Sequence, residues 1–234
     1  MSELITARLR RRVRAAGGEP LLTSYEPATG ARVELSAVTL LNWVDKTSHL
    51  LDELDVTAGD LVGLPLAEQA PGHWVTAVWE LACWQVGAAV SVGLYDSVQV
   101  LVTGPDWTSY VGAAPEVLTC SLHPLGLPVG GPLPSSVLDY AVEVRGQADS
   151  YAPVAQPAEA LAWQDEERRL DQAALVAGPW PPAARTLVRP TTPWSTAYST
   201  VLAPLATGGS TVVVSGAVSD DELERIRREE KVDG

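Results

Sequence analysis

The run "LVGLPLAEQAPGHWVTAVWELACWQVGAAVSV", residues 61–92, limits what this chain can fold into more than any other stretch. From Trp74 to Gln85 the polar positions are Thr76, Glu80 and Gln85, and Trp74, Trp79 and Trp84 stand among the apolar ones. A helix that is apolar nearly all round has no water-facing side and must be buried. Short strand-like runs, "LVGLPL" and "GAAVSV", flank it. Strand, helix, strand is the crossover unit that sets two strands parallel. The three indoles are therefore read first as a structural wall of a sheet. Burying them contributes several kcal/mol at about 25 cal/mol per Å² of apolar area.

The same alternation extends along the chain. "MSELITARLRRRVRAAGG" has no apolar signal core. It is read as a surface helix with Leu4, Ile5, Leu9 and Val13 toward the body, in preference to a nucleic-acid arm or a membrane-surface helix built on Arg8, Arg10, Arg11, Arg12 and Arg14. "PLLTSYEPATGARVEL" predicts a hairpin about a Pro27–Gly30 turn. Ser36 then caps a helix over 37–54 that buries Val38, Leu41, Val44, Leu51 and Leu54. "VQVLVTG", "PEVLTCSL" and "VLDYAVEV" are strand candidates. Residues 146–163 lack periodicity and read as loop. "QDEERRLDQAALVAG" predicts a helix with acids first and Gly178 at its end. "RTLVRP" predicts a strand, followed by a helix from Trp194 interrupted or ended near Pro204 and capped by Gly208 and Gly209. "STVVVSG" is the last strand. Ser219 and Glu222 have capping-box spacing at the last helix, and Arg225, Arg227 and Arg228 suit its far end.

This order predicts an α/β protein: a layered, mainly parallel β-sheet with helices on both faces. One domain over 1–234 is expected. Its parts are an N-terminal helix and hairpin (1–36), a first βαβ region (37–145), a loop (146–163) and a second α/β region (164–234).

Composition removes several functions. The 234 residues carry a formal net charge of −13, which repels nucleic-acid phosphates. Lysine occurs only at Lys46 and Lys231, although phosphoryl and adenylyl chemistry usually relies on a mobile ammonium. The longest uncharged run, Val117–Leu138, contains four prolines and no membrane span is expected. Cys83 and Cys120 have no metal-ligand spacing and suit a reducing, cytoplasmic setting. No nucleophile elbow, zinc motif, EF-hand or Walker loop is present. His49, His73 and His123 are read as structural or merely exposed. Asp165, Glu166, Glu167 and Asp171 are explained by a helix macrodipole rather than by paired-carboxylate chemistry. No catalytic residue, metal site or cofactor is assigned.

The segment "ELSAVTLLNWVDKTSHLLDELDVTAGDLVGLPLAEQAPGHWVTAVWELACWQVGAAVSV" resembles the opening of the adenylate-forming enzymes, the superfamily of acyl-CoA synthetases, luciferases and peptide-synthetase adenylation domains. Gly59-Asp60-Leu61-Val62 matches that family's "GDxV", and Gly87-Ala88 its Gly-Ala before a strand. "RTLVRPTTPWSTAYSTVLAPLATGGSTVVV" resembles the later segment ending in "pLxxGgxvVl", and "DDELERIRREEKVDG" the helix after it. Among relatives, the chain looks most like a small actinobacterial family built on this region. The resemblance implies an acetyl-CoA-synthetase-like N-terminal fragment and an AMP-forming ligase ancestry.

Departures from the family pattern bear on activity. Between the two matching regions the family carries a Ser/Thr/Gly-rich ATP loop ending in Gly-x-Pro-Lys. Here the 146–163 loop stands in its place, and its residues 151–163 read "YAPVAQPAEALAW", without glycine, lysine or a hydroxyl run. Glycine turns present the amides that cradle phosphate, and alanine and proline do not reproduce them. The family's later adenine, ribose and catalytic-lysine motifs have no counterpart. The expected function is a non-catalytic protein binding a protein partner, a second copy of itself or a small ligand. The alternatives are half of a split synthetase completed by another chain, and a hydrolase on the same scaffold. By the resemblance, Trp194 falls near the acyl pocket, and Trp194, Thr192 and Tyr198 are the candidates for a residual pocket. An acyl-binding surface is the alternative role of the tryptophan helix.

Overall fold

The computed structural model describes residues 3–153 and 155–232. Residues 1–2, 154 and 233–234, at the ends of the predicted terminal helices and inside the 146–163 loop, lie outside the described residues.

The fold is mixed α/β with mostly parallel strands, arranged in two sheets. The elements are α1 (Ile5–Ala16), β1 (Pro20–Glu26), β2 (Ala31–Ser36), α2 (Ala37–Glu53), β3 (Leu61–Gly63), α3 (Pro65–Gln69), α4 (Trp74–Val86), β4 (Ala89–Ser91), β5 (Val100–Thr103), β6 (Glu116–Thr119), β7 (Leu138–Asp139), α5 (Tyr140–Glu143), β8 (Leu161–Gln164), β9 (Arg169–Asp171), β10 (Arg185–Val188), α6 (Pro193–Ala197), α7 (Ala203–Thr207), β11 (Ser210–Val214) and α8 (Asp220–Glu229). The large sheet has the order β7-β6-β5-β3-β4-β8-β9 and the small one β10-β11-β1-β2. Among the described residues only the hairpins β1–β2 and β8–β9 pair antiparallel.

The 61–92 unit forms as its pattern predicts. β3 and β4 pair parallel, with Val62 opposite Val90, and every residue of α4 is buried. Gly87 ends α4 at φ 86°, a left-handed conformation that an L side chain resists. Trp84 donates its indole N–H to the Ala162 carbonyl at 2.8 Å, tying the helix to the start of β8. Trp79 packs on Tyr140 with centroids 5.1 Å apart.

Ser36 accepts from the Thr39 amide and Ser219 from the Glu222 amide, so both predicted caps form. Helix α1 buries Ile5 and Leu9. Arg8, Arg10, Arg11 and Arg12 have intrachain partners. Arg10 reaches Asp45 at 2.8 Å, Gln85 at 3.1 Å and the Tyr151 carbonyl at 2.9 Å, joining α1, α2 and α4 through buried polar groups.

Several expectations need correction. Val38 is 41% exposed, while Leu40 and Leu50 take the core face of α2. Only Leu138–Asp139 of "VLDYAVEV" is strand, because Asp139 Oδ1 accepts from the Ala141 amide and starts α5. "QDEERRLDQAALVAG" is not a helix. It holds the end of β8, the hairpin turn, β9 and a single 3-10 turn at Ala174–Val176, and Trp163 inside the predicted loop belongs to β8. β8 is recruited as a strand beside β4, with Trp163 opposite Val90 and Leu170 as its cross-strand neighbour. The acidic cluster therefore sits in a hairpin turn, not at a helix N-terminus. The helix near Pro204 does not stop there. It passes through a π-helical turn, Tyr198–Leu202, in which the Ala203 amide bonds the Tyr198 carbonyl, and continues as α7. Proline lacks the amide that an α-helical bond would need, and the wider turn accommodates it.

Candidate functional site

Two clefts of about 520 Å³ each open near the carboxyl ends of parallel strands, one per sheet. In open α/β sheets, ligands gather in crevices there, where the strand order reverses. The volume lies in the range of small-molecule sites.

The cleft on the large sheet follows β4. Val92 and Gly93, Glu68 of α3, the hairpin turn Asp165–Arg168 and the segment Thr191–Trp194 line it. Of the three residues expected to share a residual pocket, Thr192 and Trp194 meet here and Tyr198 does not. Trp194 packs edge-on against Trp163 with centroids 5.2 Å apart, and Thr192 caps α6 through the Ser195 amide. Tyr198 stacks on Trp180 instead, at 5.1 Å and 19°.

The lining is acidic. Asp165 accepts from the Trp163 indole and the Glu167 amide, both at 2.9 Å, and from Arg168 at 3.3 Å. Burial raises its pKa, but these hydrogen bonds outweigh that and hold it below the ordinary value. Arg168 also pairs with Glu167 at 2.9 Å, so the one guanidinium lining the cleft already faces two carboxylates. Glu68 accepts from the Tyr95 hydroxyl. The resemblance set the family's Ser/Thr/Gly-rich loop against residues 146–163, which end just before this turn.

The cleft on the small sheet was not legible in the sequence. Ser24–Glu26 at the end of β1 and Val214–Gly216 at the end of β11 form one side, with Ala31 and Val33 of β2. Gln69–Trp74, Leu122, Pro124, Arg189 and Pro190 form the rest. Gly72 is required by a close approach. A Cβ there would stand 2.4 Å from Pro190 and 2.8 Å from Val213. His73 caps α4 through Val75 and bonds the Leu122 carbonyl at 3.1 Å. Burial lowers its pKa to about 4, against the opposing effect of that carbonyl, so it is neutral at neutral pH.

The other two histidines bond backbone groups. His49 meets the Ser150 carbonyl and His123 accepts from the Leu125 amide. Among the described residues no histidine ring bonds a hydroxyl or carboxylate, and no cluster suited to a metal occurs. No helix of the described residues is long and apolar enough to cross a membrane.

The architecture is that of the N-terminal region of acyl-CoA synthetases. The chain superposes on a Brucella canis acyl-CoA synthetase with TM-score 0.75 at 16% identity, covering 98% of this chain and 46% of that one. It superposes on the N-terminal domain of FACL13 from Mycobacterium tuberculosis with TM-score 0.72 at 14% identity, covering 99% and 62%. For the anthranilate CoA ligase AuaEII, solved with anthranoyl-AMP, the TM-score is 0.71 at 16% identity, covering 97% and 48%. The chain thus spans about half the length of the full synthetases it matches, and at these identities the likeness carries the fold alone. No family model matches the chain. It is 36% identical over 206 residues to a TIGR03089 family protein of Mycobacterium tuberculosis, covering 84% of this chain and 83% of that protein. The chain belongs to the TIGR03089 family.

Proposed function

We propose that this protein is a non-catalytic, cytoplasmic derivative of the adenylate-forming fold that binds a small ligand or a protein partner and does not use ATP. One observation carries this: the turn facing Trp194 is Asp-Glu-Glu-Arg, with its arginine already paired. Carboxylates there repel a triphosphate, and no glycine or lysine stands in the turn to receive one. Calorimetric titration with ATP or AMP at millimolar concentration, with and without magnesium, is expected to give no saturable heat. A micromolar affinity overturns the proposal.

Completion by a second chain is the alternative, favoured by solved synthetases about twice as long. It requires ATP-dependent pyrophosphate exchange to appear when a separate C-terminal half is added. A hydrolase has no support in the histidine contacts, and a screen with generic esters checks it. Self-association belongs to the proposal as well. Leu125 and Leu127 are exposed within the uncharged 117–138 segment, and screening of the net charge should strengthen a dimer. Light scattering after size exclusion, at low and moderate salt, tests this. A monomeric mass throughout removes the dimer.

A further inference from the structure

We infer that the small-sheet cleft is a binding site for a small apolar molecule carrying one negative charge, with Arg189 as the residue that selects the charge. This deepens the ligand-binding part of the proposed function and rests on it. The cleft walls are chiefly apolar: Val33, Trp74, Leu122, Pro190 and Val214 face a space of about 520 Å³. Such a space takes a drug-sized molecule, whose burial is driven by the apolar area removed from water.

Charge comes from the rim. Among the described residues, Arg189 is the only lysine or arginine lining the cleft, and His73, also in the lining, is neutral at neutral pH. The hydrogen bond of Arg189 goes to the Gly216 carbonyl, and among the described residues it forms no ion pair. Bonding one carbonyl through Nη2 fixes the guanidinium at the mouth and leaves its other N–H groups to donate, the arrangement that receives an anion through charge-assisted bonds. Glu26, the one acid in the lining, is engaged by the Thr29 hydroxyl at 3.0 Å on the hairpin turn. Its charge opposes an anion and should weaken, not abolish, the site. A second polar feature agrees. Trp74 is among the residues that line the cleft and is 2% exposed, and its indole N–H has no acceptor among the described residues. A buried donor without a partner costs free energy that a ligand acceptor would recover.

The two clefts thus have opposite preferences. The large-sheet cleft places Glu68, Asp165, Glu166 and Glu167 around Trp194 and repels anions. The small-sheet cleft offers a cation beside an apolar wall. An organic anion too small or too weakly charged to resemble a nucleotide is the ligand chemistry that fits the second and not the first.

The test uses two fluorescent probes of similar shape on the full chain. One is 8-anilinonaphthalene-1-sulfonate, an apolar anion. The other is N-phenyl-1-naphthylamine, its neutral counterpart. Arg189→Gln should weaken the sulfonate roughly tenfold and leave the amine unchanged. Glu26→Gln should tighten the sulfonate about twofold. Both residues are exposed, so circular dichroism should show the wild-type fold. Ala31→Trp, which fills the cleft, should abolish binding of both probes and keeps the test decisive if another variant misfolds. Equal sulfonate affinity in wild type and Arg189→Gln, undiminished binding in Ala31→Trp, or no sulfonate binding to wild type overturns the inference. ATP binding alongside the predicted probe behaviour would instead overturn the non-ATP function and leave this site standing.

Discussion

The two sheets are held by different physics. The large sheet is backed by α4, whose 13 residues are all buried, and by strands such as β5 that are buried throughout. One face of the small sheet joins the main core through Leu22, Leu35 and Val213, and its face toward α8 has a thinner apolar cluster made of Val212, Val214 and Ile226. A charged knot supplements it. Glu230, 9% exposed, accepts from Tyr25 at 2.5 Å, from Arg32 at 2.9 Å and from Arg185 at 2.5 Å. The knot links β1, β2 and β10 to the end of α8. Where the apolar core is small, paired charge fixes the geometry, provided every member has a partner. The difference teaches that one fold can be vulnerable to a buried charge at one end and to the loss of a buried charge at the other.

The largest expected effect is on the large sheet. Val78 is fully buried in α4, and Val78→Asp should cost about 4 kcal/mol or more and leave little soluble protein. Melting within a degree or two of wild type would show that α4 does not carry the sheet.

Glu230→Gln tests the other sheet and should cost roughly 2 kcal/mol, read as a shift in urea midpoint. The knot also sets an acid limit. Burial raises the Glu230 pKa, but the bonds from Arg32, Tyr25 and Arg185 outweigh it and hold the group at about 2. A carboxylate depressed in the folded state contributes stability above its unfolded value, near 4.5, and loses it as pH falls toward about 2. Wild type should therefore lose stability across that window, and Glu230→Gln should lose less. Parallel acid titrations of the two proteins would contradict this.

The smallest effect has the opposite sign. Glu80 is 2% exposed in α4, buried like the rest of that helix. Burial raises its pKa. An acid raised in the folded state contributes stability below its unfolded value and loses it as pH rises through the folded one. Glu80→Gln should gain about 1 kcal/mol over wild type at pH 8 and less at pH 5, measured by thermal melting. An equal gap at both pH values would mean that Glu80 does not titrate in this range.

How much was legible in advance depended on the range of the forces involved. The α4 wall, the β1–β2 hairpin, the Ser36 and Ser219 caps and the Gly208 cap followed from sequence, because periodicity, turn chemistry and capping act within a few residues. Trp194 and Thr192 were placed in one cleft by resemblance, and the acidic turn opposite them was mistaken for a helix start. An acid run followed by an apolar one fits both, and only pairing beside β4 decided for strand. The small-sheet cleft left no local sign. Its lining comes from β1, β2, the α3–α4 turn, the loop after β6 and the ends of β10 and β11, up to about 190 residues apart in the chain.

The sequence by itself determined that this chain is α/β, that α4 is buried, and that residues 151–163 hold no glycine or lysine, since composition and local spacing carry those facts. Only the tertiary structure decided that the strands split into two sheets, that Glu80 is buried and Glu230 knotted, and that Arg189 stands beside an apolar cleft. The physical reason is that burial and charge pairing depend on neighbours brought from distant segments, and spacing along the chain holds no record of which segments will meet.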